Sequence, residues 1–197
     1  MAGSHRRSSA ETREHVLEVA HELFYWQGIR AVGVDKIAAE AGVAPTTLYR
    51  LFASKDDLIA AYVERAHVAY RDWFQTALES GGDDPQARIL ALFEAQTVML
   101  QPDICRGCPF LMVLTEFPDE ALPSHQEAVT MKRWVRDQFA TLTAALDVPD
   151  PSALADHLTL IFEGAYASVQ ALGPTGPASH NHTLAKTILD SHIRTSA

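Results

Sequence analysis

Residues 34–58, VDKIAAEAGVAPTTLYRLFASKDDL, constrain the chain more than any other stretch, because they encode two short helices joined by one tight turn. Ile37, Ala38 and Ala41 form the inner face of the first helix, and Gly42, Val43, Leu48 and Leu51 continue it through the turn into the second. Ala38 is small where the second helix crosses, and Gly42 occupies a turn where a left-handed backbone is cheap only without a side chain. Pro45 stands where the second helix begins, a position that tolerates its fixed φ and missing N–H. Thr46, Thr47, Tyr49 and Arg50 are left for the outer face. Hydroxyls, a phenol and a guanidinium at the start of a short helix suit the major groove of DNA. Ser54 is placed to cap the next helix, with Asp57 spaced to reach back as a capping box. That helix begins near Lys55, whose ammonium and the free N–H groups around it suit one phosphate oxygen.

Residues 13–60 closely resemble the TetR family of bacterial one-component transcriptional regulators. The resemblance rests on the helix Arg13 to Gly28 with Ala20, Leu23 and Phe24, on the segment from Gly28 to Val34, and on Ile37, Ala38, Ala41, Gly42 and Val43. The family's Leu-Tyr-x-His-Phe-x-x-Lys pattern stands here as Leu48, Tyr49, Arg50, Leu51, Phe52, Ala53, Ser54 and Lys55. Two positions depart from it. Leu51 replaces a histidine that often touches the DNA backbone, and Val34 stands where many members carry a phosphate-binding hydroxyl. The resemblance implies an all-α chain, with an N-terminal three-helix DNA-binding domain and a C-terminal helical domain that binds an effector and dimerises. The expected organisation is a flexible arm over residues 1–10, a helix-turn-helix domain over 11–55, and a ligand-binding and dimerisation domain over 56–197. Val34, Lys36, Pro45, Thr46, Thr47, Tyr49, Arg50 and Lys55 form the expected DNA-contact set.

At 197 residues the chain has room for such a second core. Its net charge of −9 argues at first against nucleic acid, but the charge is uneven. Residues 1–55 carry seven basic against six acidic side chains, +1, which leaves −10 on the remainder. A nearly neutral reading head on an acidic body suits salt-sensitive operator binding with little affinity for DNA in general. No apolar run reaches the roughly 18 residues that span a bilayer, and no signal peptide is recognised, so a cytoplasmic protein without a membrane partner is expected. Arg6 and Arg7 in the arm are candidates to reach a minor groove.

Beyond residue 55, apolar residues recur at helical spacing. Helices are expected from Lys55 to about Glu79, from Pro85 to Gln101, from Pro109 to Phe117, from Pro123 to Leu146, from Pro151 to about Leu172, and around Leu184, Ile188 and Leu189. The helix from Pro151 presents Leu154, Leu158, Ile161, Ala165 and Val169 beside Gly164 and Ser168, a surface another helix can approach closely. Periodicity alone leaves two readings open, a monomer core or a dimer interface. The family resemblance implies the dimer, with Leu154, His157, Leu158, Ile161, Ala165, Ser168, Leu184 and Ile188 as interface candidates.

Effector pockets in helical domains are mostly apolar with a few polar groups, and Phe93, Gln96, Phe110, Met112, Trp134, Phe162 and Tyr166 are candidate lining residues for a hydrophobic or aromatic molecule. The alternative for each is ordinary core. Cys105 and Cys108 share a CxxC spacing, which reads as a structural turn before Pro109 or as a thiol redox pair. Zinc needs further ligands, and none stand at suitable spacing nearby. His180, Asn181 and His182 read as a solvent-facing helix cap rather than a metal site, and His157 as an interior or pH-responsive histidine. No nucleophile, base and orienting acid stand out as a set, and no cofactor is implied. The function expected is that of a homodimeric repressor, or an activator of the same architecture, with a thiol redox-responsive protein as the alternative.

Overall fold

The computed structural model describes residues 7–194, and over them the chain forms nine α-helices, one short 3₁₀ turn and no strand. They are α1 Ser9–Gln27, α2 Val34–Glu40, α3 Pro45–Leu51, α4 Lys55–Glu79, α5 Pro85–Met99, α6 Pro109–Glu116, α7 Pro123–Ala144, α8 Pro151–Leu172 and α9 Asn181–Arg194. Proline opens five of them, at Pro45, Pro85, Pro109, Pro123 and Pro151. The missing N–H is harmless there and the fixed φ is already helical. Asp84 and Asp150 accept from the N–H groups of Ala87 and Ala153, so α5 and α8 carry a side-chain cap as well.

A complete capping box starts α1. Ser8 Oγ accepts from Glu11 N at 3.2 Å, and Ser8 N donates to the Glu11 carboxylate at 2.7 Å. This shortens the expected arm, since residues 8–10 are already cap and helix; residues 1–6, and with them Arg6, lie outside the described residues. At Ser54 only half of the expected box forms, Asp57 N donating to Ser54 Oγ at 3.0 Å.

Helices α1 to α3 enclose a small core of Val16, Ala20, Phe24, Ile37, Ala38 and Leu48. Helix α4, about 37 Å long at the α-helical rise, gives Leu58, Ile59 and Tyr62 to that core and Phe74, Ala77 and Leu78 to the next. The body is built on four phenylalanines, one each from α4, α5, α7 and α8. Phe93, Phe139 and Phe162 have ring centroids 5.6–5.9 Å apart, and Phe74 lies 6.0 Å from Phe162. Phe162 meets the other three edge-to-face, an arrangement that gains electrostatic attraction beyond the area it buries.

Inside this apolar body Gln96 is fully buried. Its amide donates to the Phe162 carbonyl at 2.8 Å and accepts from Asn181 Nδ2 at 2.9 Å, while Asn181 Oδ1 accepts from Thr97 Oγ1 and from His182 N. Asn181 is therefore a buried anchor for α9, not a cap in solvent. His157 is exposed, with its ring 5.5 Å from that of His192, which removes the interior reading of this residue in the single chain.

Replacing Gln96 by Leu preserves apolar volume but removes both the donor to α8 and the acceptor for Asn181. A loss of about 1–3 kcal/mol is expected, the cost of a buried amide left unpaired, seen as a lower urea midpoint at unchanged slope.

Candidate nucleic-acid interface and effector cavity

The turn between α2 and α3 is fixed by backbone chemistry. Gly42 has φ 65°, its N–H donates to Ala39 O, and Val43 N donates to Ala38 O, the paired bonds of a Schellman motif. Leu48 then points inward and is buried, whereas Pro45, Thr46, Tyr49 and Arg50 are exposed and Thr47 is half-buried. Tyr49, half exposed at 50%, is a large aromatic with no intramolecular reason to face solvent. Two contacts from α1 steady this unit: His15 Nε2 lies 3.2 Å from Ala41 O, and the Arg13 guanidinium stacks 4.8 Å from the Phe52 ring centroid.

The flanking candidates differ in what they can offer. Lys36 is exposed and its ammonium reaches Gln27 Oε1 at 2.5 Å. Lys55 is half-buried, and its ammonium lies 3.4 Å from Arg30 O; desolvation holds its pKa below the ordinary lysine range. Val34 packs its side chain against the core and has no polar side-chain atom to present.

Two clamps tie this N-terminal unit to the body. At the end of α6, Glu116 accepts from Ile29 N at 3.0 Å and from Arg30 N at 2.6 Å, just beyond α1. At the start of α6, the Tyr25 hydroxyl accepts from Arg106 N at 2.8 Å and donates to Gly107 O at 2.9 Å, while Arg106 Nη1 donates to the Tyr25 carbonyl at 2.7 Å. Gly107 has φ 141°, and a Cβ there would meet Gln170 and Met112 at 3.2–3.3 Å, so this loop needs a glycine.

Beside the second clamp lies a cavity of about 360 Å³ between α1, α4, the α5–α6 loop and α8. Tyr25, Trp26, Tyr70, Trp73 and Tyr166 supply aromatic walls, Met99, Ile104 and Pro109 aliphatic ones, and His21, Glu22, Asp103 and Cys105 the polar edges. Of the lining residues expected from sequence, only Tyr166 is here. Phe93, Gln96, Phe110 and Phe162 are fully packed core, Trp134 meets Phe74 edge-on at 5.0 Å and lies under Arg71, and Met112 lies beyond Gly107. Helical spacing marked these side chains as inward-facing, but packing closed around them and left the opening next to α1. The aromatic run Tyr25, Trp26 at the end of α1 was the signal in the sequence that could have found it.

A profile of the family described as bacterial regulatory proteins, tetR family, matches residues 16–62. SCO4454 from Streptomyces coelicolor, a TetR-family transcriptional regulator, superposes with a TM-score of 0.88 at 31% identity, over 93% of this chain and 97% of that one. The chain belongs to the TetR family. At lower identity it is similar to the HTH-type transcriptional regulator YjdC of Escherichia coli K12, 24% over 90% of this chain and 93% of that protein. It also matches the HTH-type transcriptional repressor NemR of the same strain, 28% over 72% of this chain and 70% of that protein. As a TetR-family member it is a DNA-binding transcriptional regulator and not an enzyme.

The two cysteines of this TetR-family chain are free and buried. Lys132 Nζ donates to Cys108 Sγ at 2.9 Å and pairs with Glu163 at 2.5 Å, and no group of three or more metal-ligating side chains occurs among the described residues. Burial is the leading influence on both thiols and raises both pKa values, outweighing the Lys132 ammonium at Cys108. At neutral pH the thiolate fraction is therefore below that of a free cysteine. Iodoacetamide at pH 7 is expected to modify Cys105 and Cys108 of the folded protein at least about tenfold more slowly than in urea, with the rate rising as pH increases. Intact-mass spectrometry over time checks this.

Proposed function

We propose that this chain is a homodimeric repressor that binds a near-palindromic operator through two copies of α3 and leaves it when a small hydrophobic or aromatic effector enters the cavity beside Tyr25. The observation that carries the reading is that one residue serves both units: Tyr25 belongs to α1 of the DNA-binding head, lines the cavity and clamps the loop that forms its far wall. An occupant that displaces Tyr25 or the loop favours a different tilt of residues 11–55 against residues 56–197. Differential affinity for two tilts is what a coupling free energy between effector and operator requires.

In this reading Thr46, Thr47 and Arg50 meet base edges, Pro45 sets the start of the recognition helix, and Tyr49, Lys36 and Lys55 serve the phosphates, in successive major grooves about 34 Å apart. Val34 contributes no side-chain bond and is retained only as a position beside the backbone. The head acts on DNA in the cytoplasm, and an activator would use the same parts.

Support for a second copy comes from α8 and α9. Leu160 is 72% exposed and Leu184 48%, and they flank a shallow groove with Ile161, Gly164, Ala165 and Ser168. Large apolar side chains left open beside small residues suit close helix packing by a partner. Leu154 and Leu158, expected on this face, are fully buried in the monomer. The candidate interface is therefore the neighbouring stripe of His157, Leu160, Ile161, Gly164 and Ser168, joined by Leu184 and Ile188 of α9. Burial of both cysteines, which raises their pKa values, counts against the thiol alternative.

Two single variants separate the contact classes. Lys55→Ala should weaken all duplexes alike and reduce the salt slope by about one, whereas Arg50→Ala should cost about 1–3 kcal/mol and relax preference at one base position. Fluorescence anisotropy against an operator and its single-base variants, at several salt concentrations, reads both; the reversed pattern would show that the roles are misassigned.

A further inference from the structure

We infer that the cavity beside Tyr25 takes a protonated organic amine with an aromatic or apolar body. This rests on the effector reading above and gives that effector a charge. Three observations support it. First, the lining holds two carboxylates, Glu22 and Asp103, both exposed at the mouth, and no lysine or arginine. The neighbouring cations are committed elsewhere, Arg65 to Glu14 and Glu18 and Arg106 to the Tyr25 carbonyl.

Second, the walls present five aromatic rings, Tyr25, Trp26, Tyr70, Trp73 and Tyr166, whose faces attract a desolvated cation. Third, His21 Nδ1 in the lining is buried and has no hydrogen-bond partner. The nitrogen lies beside Glu22, one residue along α1, while the buried Tyr70 hydroxyl interacts with the hydroxyl of Tyr166. Desolvation keeps the His21 imidazole below its ordinary pKa, so in neutral solution it is an acceptor at one ring nitrogen.

The cavity therefore offers negative charge at its mouth and a neutral imidazole with one accepting nitrogen, and no cation. A ligand anion would bring like charge against Glu22 and Asp103 with no cation to offset it. A purely apolar ligand would cover the His21 nitrogen and leave it without a partner, at a cost. An ammonium N–H⁺ supplies a donor to the imidazole and charge to the mouth and rings, while its apolar body fills the rest. The body's excess of acidic side chains adds a long-range field of the same sign.

The test uses the full-length protein and one skeleton with three head groups: 4-phenylbutylamine, 4-phenylbutan-1-ol and 4-phenylbutanoate, titrated by calorimetry at pH 7. The amine is expected to bind at least about tenfold more tightly than the alcohol, and the carboxylate most weakly. In a Glu22→Gln, Asp103→Asn variant, whose changes lie at exposed positions and whose fold is checked by circular dichroism, the gap between amine and alcohol should close. Equal affinity of amine and alcohol for the unaltered protein, or preference for the carboxylate, overturns the charge assignment and leaves an apolar effector standing. Binding of none of the three overturns the cavity as the effector site together with the amine.

Discussion

The carboxylate of Glu116 holds the backbone just beyond α1, and the placement of the DNA-binding head depends on it. A negative side chain at the C-terminal end of a helix opposes the helix dipole, so Glu116 is unfavourable for α6 taken alone. Its two bonds to Ile29 N and Arg30 N offset that cost by pairing N–H groups that the end of α1 leaves open. The Arg30 carbonyl then meets Lys55 at the first turn of α4, and the Arg30 guanidinium stacks 5.2 Å from the Phe117 ring centroid. One short segment thus joins α1, α4 and α6.

Helix α6 becomes a strut of eight residues with a clamp at each end, Tyr25 on the loop before it and Glu116 at its close. Its inner face is fixed by Phe110 and Val113, and Phe110 sits edge-on to Tyr70 at 5.7 Å. Because Tyr70 also lines the cavity, a molecule there would press on the strut from one side and on Tyr25 from the other. The long α4 offers a second route, since it packs Tyr62 against Phe24 in the head and Phe74 against the body's ring cluster.

Element boundaries were legible in the sequence to within a few residues because their causes are local. Proline at a first turn, Asp84, Asp150 and Ser54 as caps, and Gly42 in a left-handed turn each act over fewer than five positions. Helix α3 was legible for the same reason, its outer residues being those left over once Leu48 turned inward. The capping box at Ser8 was local as well, yet it was absorbed into an arm judged by composition.

What could not be read depends on which helices meet. Leu154, Leu158 and Leu160 have the same chemistry on one helix, and only the packing of α7 and α9 decides that the first two are core and the third is open. Gln96 looked like a polar group in a pocket, whereas its partners Phe162 and Asn181 lie 66 and 85 positions away. The cavity itself is a gap between α1 and elements far along the chain, and no periodicity within one helix encodes a gap.

The central claim is that paired copies of α3 read a defined duplex sequence. Selection of bound duplexes from a random pool by the purified protein at near-physiological salt, followed by sequencing, tests it most directly. Enrichment of one inverted repeat with half-site centres about one helical turn, or a multiple of it, apart is the expected result. A folded protein that enriches no sequence, or only an unpaired half-site, would contradict it.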